Sequence, residues 1–386
     1  MATSLNGDFS RVVPLISSFY TIKDFRRNVR EDYVEFLIDD ADIKGTFQTF
    51  LKELAKMDMI ATAKRSSYAS QLMPTLASTR FSVDDGIVLT IYKMDKQKPR
   101  SKFWRVVPLI LFIVTVAFVF VDGYVRSGSD FATTYVQDPA LVAAAYTMSL
   151  MGILGIHELG HMIANKHYGL RASWPYFLPG IPGFTPTFGA LIALRGNMTN
   201  RNVMFDVGIA GPIAGLIIAV IVSIYGSTIS VMIPIDEYQR MSGDNQLFTM
   251  DASVLMMATL YLTGSAVQGM VLIMSPVLFA AWLGFLITFL NLMPAWQLDG
   301  GHIARSALGP RWHKILTYVS IGILFALGFY PIALLVLFFS MRSPESMPLD
   351  DVTPLSSKRK ALFFVALGLA MMTAPIPSHL FGFLSF

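Results

Sequence analysis

The run His157-Glu158-Leu159-Gly160-His161 sets two imidazoles four residues apart. On a helix they share one face, one turn apart, and can bind a single metal ion. Glu158 is offset by one position, so it is placed to reach a water on that metal without being a ligand. This is chemistry for metal-assisted hydrolysis. The structural alternative is a histidine pair packed in a helix bundle beside a glutamate. Three ionisable groups within five residues of an apolar segment argue against it, because such groups are expensive in a membrane and usually functional. A tetrahedral catalytic zinc needs a third protein ligand and one open position. The run Asn291-Leu292-Met293-Pro294-Ala295-Trp296-Gln297-Leu298-Asp299-Gly300-Gly301-His302 offers two candidates. Asp299 precedes a glycine pair that can turn its carboxylate inward, and His302 carries a good zinc-binding imidazole. Residue chemistry alone leaves that choice even. His167, His313 and His379 are expected at interfacial or surface positions.

The elements that hold these residues belong to a membrane protein. Of 386 residues, 54% are hydrophobic and 15% charged, against about 25% charged in soluble domains. The absence of cysteine excludes disulfides, thiolate metal sites and a thiol nucleophile. Residues 1–100 differ from the rest, with charges throughout and no run long enough to span. Val34–Ile38, Ile60–Lys64 and Gly86–Lys93 read as strands, with Asp84-Asp85-Gly86 as a turn. A helix is expected over 43–57, capped by Asp39, Asp40 or Asp42, with Phe47, Phe50, Leu51 and Leu54 on one face. This βαββ order predicts a small soluble α+β domain over 1–100, of unknown role. The short apolar stretch Val12–Ile16 has no convincing cleavage site, so a signal peptide is not expected.

The basic junction Lys93–Lys102 predicts a cytoplasmic collar before the membrane domain, 101–386. Spans are expected at about 104–122, 141–165, 203–224 and 276–294, with further apolar segments at 315–341 and 361–376. Asp122, Asp130 and Asp138 place the loop 122–140 outside. Lys166, Arg171, Arg195 and Arg201 place 165–202 inside. Asp236, Glu237, Asp244 and Asp251 place 233–251 outside, and Arg305, Arg311 and Lys314 return the chain inside. Residues 252–274 are expected to form an outer re-entrant or interfacial helix. The stretch 315–341 is either one long helix or a hairpin broken at Gly328–Pro331. The expected fold class is therefore an α-helical polytopic membrane protein of about 6–7 transmembrane helices plus a re-entrant segment, behind a small N-terminal α+β domain.

The paired motifs resemble the site-2 proteases, the intramembrane zinc metalloproteases: HELGH in one span, and Asn291-x-x-Pro294-x-x-x-Leu298-Asp299-Gly300 in a later one. Phe188-Gly189-Ala190 and Asp206-Val207-Gly208-Ile209-Ala210-Gly211-Pro212-Ile213-Ala214-Gly215 are similar to the same family. Trp282–Gly301 and Pro348–Leu355 are similar to its archaeal, cyanobacterial and chloroplast branch. The resemblance covers about 104–376. It implies one Zn2+ on His157, His161 and Asp299, with Glu158 as general base and acid and Asn291 holding the substrate or its oxyanion. His302 stands where relatives often carry Arg.

The resemblance implies an endopeptidase that cuts in or near transmembrane segments of membrane-protein substrates. Such a helix must unwind before its carbonyls can be attacked, and its freed backbone then needs protein partners. Trp174–Leu194, with four prolines and the apolar run Phe188–Leu194, suggests a re-entrant loop or β-hairpin to which a substrate strand adds. The alternatives are a non-catalytic membrane binding protein retaining the fold, which the intact Glu158 opposes, and a metal transporter, which would need ligands on several spans. Expected partners are a transmembrane substrate and the lipid bilayer, with no nucleic acid; oligomeric state is unreadable. The expected location is integral, multi-pass, in a prokaryotic plasma membrane, with the N-terminal domain and the active-site opening toward the cytoplasm.

Overall fold

The computed structural model describes residues 7–28, 32–40, 42–65, 86–94, 102–128, 138–183, 185–192, 194–195, 198–242, 250–342 and 346–376. Two compact units emerge. One comprises Met1–Pro99, Asn197–Met204 and Ser346–Arg359; the other comprises Arg100–Gly196, Phe205–Glu345 and Lys360–Phe386.

In the first unit, α1 (Val12–Phe19), β1 (Ile22–Asn28), β2 (Tyr33–Ile38), α2 (Phe47–Ala55), β3 (Met59–Arg65) and β4 (Ile87–Lys93) follow in turn. The strands form an antiparallel sheet in the order β1-β2-β4-β3. β3 alternates buried and half-buried positions, the period of a strand with one covered face. Phe47, Phe50 and Leu54 present the apolar stripe of α2 to a core shared with Val12, Ile16, Phe36 and Leu89. The N-terminal α+β region is thus observed, with two elements that sequence reading did not find. β1 is an edge strand carrying Lys23, Asp24, Arg26 and Arg27, so its charges hide the strand pattern. The helix α1 contains the apolar stretch at Val12, which is buried in this core. Helix α2 also begins later than expected, after Thr46. Asp42 instead accepts the Lys44 amide at 2.8 Å, Asp40 the Thr21 amide at 2.8 Å, and Asp39 pairs with Lys23 at 2.6 Å. Local side-chain bonds of this kind compete with helix initiation. Asp84, Asp85 and 95–101 of the junction lie outside the described residues.

The later segments of this unit are built into its sheet. Ala63 of β3 donates to Leu349 O at 2.7 Å, and Asp351 donates back to Ala63 O at 3.1 Å. Leu349 and Asp350 in turn donate to Met198 O and Thr199 O at 2.8 and 2.9 Å. Leu349 and Val352 are buried in the core. Asp350 holds the turn: its carboxylate accepts the amides of Val352 and Thr353 and the Thr353 hydroxyl, at 2.6–3.0 Å. Arg201 closes the joint on Asp351 at 2.9 Å.

In the second unit, α3 (Lys102–Ser127), α4 (Pro139–His167) and α5 (Arg201–Thr228), whose first turn belongs to the other unit, lead the chain. Among the described residues these three helices are long and apolar enough to cross a membrane. At about 1.5 Å per residue each exceeds the roughly 30 Å hydrocarbon layer. Asp138 caps α4 by accepting the amides of Ala140 and Leu141, with Pro139 in the first turn. Between α4 and α5 lie β5 (Arg171–Ala172), β6 (Tyr176–Ile181), β7 (Thr185–Leu191) and β8 (Leu194–Arg195). β6 and β7 form an antiparallel hairpin, closed at its base by β5 and β8. Then come β9 (Val231–Pro234), α6 (Ile235–Ser242), α7 (Val254–Leu262), β10 (Met270–Ile273), α8 (Pro276–Leu292), α9 (Asp299–Ala326), α10 (Tyr330–Arg342) and α11 (Ser357–Thr373), the last beginning in the first unit.

The expected crossing at 276–294 is the 17-residue α8. The segment 252–274 contains the nine-residue α7, too short to cross, and then β10 paired with β9. Hydroxyl contacts fasten α7 to α5: Ser223 to Thr259 at 2.6 Å and Ser227 to Thr263 at 3.0 Å. Of the two readings of 315–341, the broken one is found: α9 ends at Ala326, Gly328 takes φ +81°, and α10 begins at Tyr330. Two charges used to assign sidedness do not face lipid or water. Asp122 lies inside α3 and is fully buried, and Arg305 is 1% exposed inside α9. Counting charges along a window treats such residues as surface groups, which they are not.

Asp350→Ala removes three hydrogen bonds from a buried turn, and the expected loss of stability is about 2–4 kcal/mol. The measurement is amide exchange in detergent. The Ala63 amide should exchange faster, whereas amides of α4 should not change.

Candidate metal centre

Helix α4 presents His157 and His161 one turn apart, and both are buried. Asp299 is the first residue of α9 and turns its carboxylate toward them. The three donor atoms form a near-equilateral triangle. His157 Nε2 to His161 Nε2 is 3.2 Å, His161 Nε2 to Asp299 Oδ2 is 3.2 Å, and His157 Nε2 to Asp299 Oδ2 is 3.3 Å. Tetrahedral zinc with bonds of about 2.0–2.1 Å sets its ligand atoms about 3.3–3.4 Å apart, so the set fits that ion. The His161 Nδ1 atom lies 2.8 Å from the Val207 carbonyl. A carbonyl can only accept, so this bond assigns the proton to Nδ1 and leaves the Nε2 lone pair facing the triangle.

Glycines on α5 make room for the imidazoles. Gly208, Gly211 and Gly215 are spaced by three and four residues and so share a face. A Cβ on Gly211 would overlap the His161 ring, and one on Gly215 would sit 3.0 Å from His157 Cβ. A Cβ on Gly208 would meet the Asp299 carbonyl at 3.1 Å. From the other side, a Cβ on Gly160 of α4 would lie 2.6 Å from Ala210 O. Tyr168 donates to the Asp206 carboxylate, joining the end of α4 to the same region of α5.

The turn between α8 and α9 sets the third donor. A Cβ on Gly300 would collide with Leu292 O, and one on Gly301 with Trp296 O, so only glycine lets the chain double back there. Trp296 takes φ +44°, donates its amide to Thr317 Oγ1 at 3.0 Å, and accepts from His313 Nε2 at 2.9 Å. His313 is therefore not at the surface or the interface; it is 4% exposed and pins this turn. His167 is exposed at the end of α4, and His379 lies outside the described residues. His302, the other candidate for third donor, is not in the triangle, and its buried Nδ1 has no hydrogen-bond partner among the described residues. Asn291, near the end of α8, brings its Nδ2 to 3.4 Å from His157 Nε2. Glu158 is buried, 7% exposed, beside His157 on α4. Sequence reasoning missed the Val207 carbonyl, the steric need for the α5 glycines and the His313 pin. The three-and-four spacing of the glycines was the available signal for the second of these.

Residues 145–329 match the profile of peptidase family M50. The chain is 28% identical over 300 residues to "Probable zinc metalloprotease EGY1, chloroplastic" of Arabidopsis thaliana, covering 71% of this chain and 54% of that protein. It is 29% identical over 232 residues to "Probable zinc metalloprotease EGY2, chloroplastic" of the same plant, covering 58% and 40%. A rice protein, "Probable zinc metalloprotease EGY3, chloroplastic" of Oryza sativa subsp. indica, is 25% identical over 271 residues, covering 65% and 44%. The chain thus spans about half the length, or less, of these relatives. No solved structure matches. The histidine pair and Asp299 both lie inside the matched segment, so the likeness to peptidase family M50, and to relatives named as zinc metalloproteases, takes in the whole candidate metal centre.

Proposed function

We propose that this protein is an intramembrane zinc-dependent endopeptidase that hydrolyses peptide bonds in or near transmembrane segments of membrane-protein substrates. The observation that carries the reading is the triangle of donor atoms, 3.2–3.3 Å on each edge, with Glu158 beside it on a helix long enough to span. His157, His161 and Asp299 hold the metal. Zinc bound there supplies a Lewis acid and brings the pKa of a water to about 7. Glu158 takes the proton of the attacking water and delivers it to the leaving amine. Asn291 donates its amide to the carbonyl oxygen as negative charge develops. The exposed apolar side chains Phe188 and Leu191 of β7 mark a strand against which an unwound substrate segment can extend. Its backbone groups would find partners there that lipid cannot provide.

The integral membrane placement rests on the three candidate spans, with α8 to α11 supplying the further crossings of a bundle of six or seven. The relatives are named chloroplastic, and the prokaryotic plasma membrane expected from sequence finds no support among them. His157 lies nine residues, about 13 Å, before Lys166 at the end of α4, so we place the water entrance on that basic side.

The test is cleavage of a single-span substrate by detergent-purified protein, with zinc measured on the same sample. Wild type should carry about one zinc and cut. Glu158→Gln should keep the zinc and lose roughly 10²–10⁴-fold in rate. Asp299→Ala should lose zinc, and His302→Ala should keep it. A zinc-loaded wild type that cuts no substrate would favour a binding role, and a zinc-free wild type would end the proposal.

A second variant probes the packing beneath the metal. Gly211→Ala puts a methyl group into the His161 ring. Zinc occupancy should fall, with a stability cost of about 1–3 kcal/mol from overpacking. Gly155→Ala on α4, where a Cβ meets nothing within 4 Å, is the control and should keep zinc.

A further inference from the structure

Among the described residues, the most deeply buried carboxylate away from the metal centre is Asp122, four-fifths of the way along α3 and 0% exposed. Both its oxygens are fully engaged. Oδ2 accepts from Arg126 Nε at 2.7 Å and from the Tyr146 hydroxyl of α4 at 2.8 Å. Oδ1 accepts from Arg126 Nη2 at 3.3 Å and from the Gly183 amide at 2.7 Å. Gly183 is in the turn of the β6–β7 hairpin and holds φ +85°. The Arg126 guanidinium lies 4.1 Å over the Phe279 ring of α8, which stacks on Tyr146. Three helices and the hairpin tip therefore meet on one ion pair inside an apolar bundle.

Helix packing does not need this pair. Apolar side chains of similar volume usually serve a buried contact as well or better. An apolar contact cannot, however, accept the hydrogen bond that the Gly183 amide donates. We propose that the Asp122–Arg126 pair is a clamp on the hairpin tip, and that both are positioning residues for the strand edge that receives substrate. The consequence for substrate rests on the endopeptidase reading; the clamp itself does not.

The dimensions give the clamp a purpose. Tyr146 and His157 are eleven residues apart on one face of α4, three turns or about 16 Å. A strand rises about 3.3 Å per residue, so the Phe177–Ala190 rung, six to seven residues from Gly183, stands about 20–23 Å along the hairpin from its tip. That rung packs on α4 between Tyr146 and His157. Phe177 shares a cluster with Leu150 and Leu154 of α4, with Ala190 packed against it, and Phe177 and Ala190 are opposite each other in the hairpin. Fixing the tip thus fixes which rung of the hairpin packs on α4 ahead of the metal donors.

The experiment uses the full chain, whose lack of cysteine allows single-site labelling. A nitroxide is attached at Phe188→Cys on the exposed side of β7, and a control label at Tyr225→Cys on exposed α5. Each is compared with and without the double substitution Asp122→Leu, Arg126→Met. The proposal expects the double variant to keep its zinc, the label at 188 to gain mobility and the label at 225 to stay unchanged. KM for a single-span substrate should rise roughly tenfold or more, as expected for losing a charge-assisted hydrogen bond, with a smaller change in kcat. Tyr146→Phe deletes one hydroxyl and should move the label at 188 in the same direction by less, so the test survives if the double variant fails to fold. A label at 188 unmoved in Tyr146→Phe and in any folded double variant overturns the clamp. Equal mobilisation of both labels with loss of zinc reduces the pair to general packing and overturns it too. Mobilisation at 188 alone, in a protein whose wild type cuts nothing, keeps the clamp and removes the endopeptidase reading.

Discussion

The His157–His161 face of α4 can be covered closely only by a helix that has no side chains at the contact. Two imidazoles already fill the space between the axes, and the Nε2 atoms must still converge with a carboxylate to within 3.3 Å. Metal–ligand distances tolerate only about 0.2 Å of error, so the backbones that carry the donors must be held to similar accuracy. Helix α5 meets the requirement with Gly208, Gly211 and Gly215 on one stripe. The close approach then brings the Val207 carbonyl to His161 Nδ1 and selects the tautomer that faces the metal. Without the glycine stripe neither the spacing nor the protonation state would follow.

The carboxylate obeys a second backbone constraint. Asp299 must leave the end of α8 and open α9 within a few residues, folding back on Leu292 and Trp296. Gly300 and Gly301 permit that contact, and the Trp296 bonds to Thr317 and His313 hold it from the far side of α9. As the first residue of a helix, Asp299 also sits where unpaired amides favour negative charge. This helps explain why a carboxylate, rather than the imidazole of His302 one turn further on, completes the set. Helices α4 and α8 bring two further polar groups beside the set: Glu158 is adjacent to His157 in sequence, and Asn291 lies at the close of α8.

What the sequence made legible was local. HELGH declares its geometry because i and i+4 share a face, and the three apolar spans declare themselves by length. The strands β2, β3 and β4 and the face of α2 follow from their own periodicity. What it hid depends on contacts between residues far apart in the chain. The edge strand β1 carries charges where an interior strand would carry apolar groups. Asp122 and Arg305 looked like loop charges, and only tertiary packing buries them. His313 looked like a surface residue because its partner, the Trp296 carbonyl, belongs to the backbone and has no signature. The strap Leu349–Val352 joins β3 through backbone bonds, so its role in the N-terminal unit was equally invisible. That strap also means that residues 1–99 are not an independent module. Removing them would leave Leu349 and Val352 without the core that covers them.

Helix α4 ties these features together as a ruler. One face carries, in order, Tyr146, Leu150, Leu154, His157 and His161, at spacings that keep them aligned over four turns. Its first position touches the carboxylate that holds the hairpin tip, its middle packs under the hairpin, and its end carries two metal donors. A rigid rod of known rise is the simplest device for holding a strand edge and a reactive centre in fixed register. Loops could hold them at a similar mean separation, but not with the same accuracy. In a bilayer the demand is sharper than in water. A hairpin that slipped by one residue would reverse the facing of every side chain on its edge and strand its polar backbone in hydrocarbon. An ion pair buried at the tip of such a hairpin is costly to build. It also gives the turn amide one low-energy partner, and that single partner is what makes the register unique.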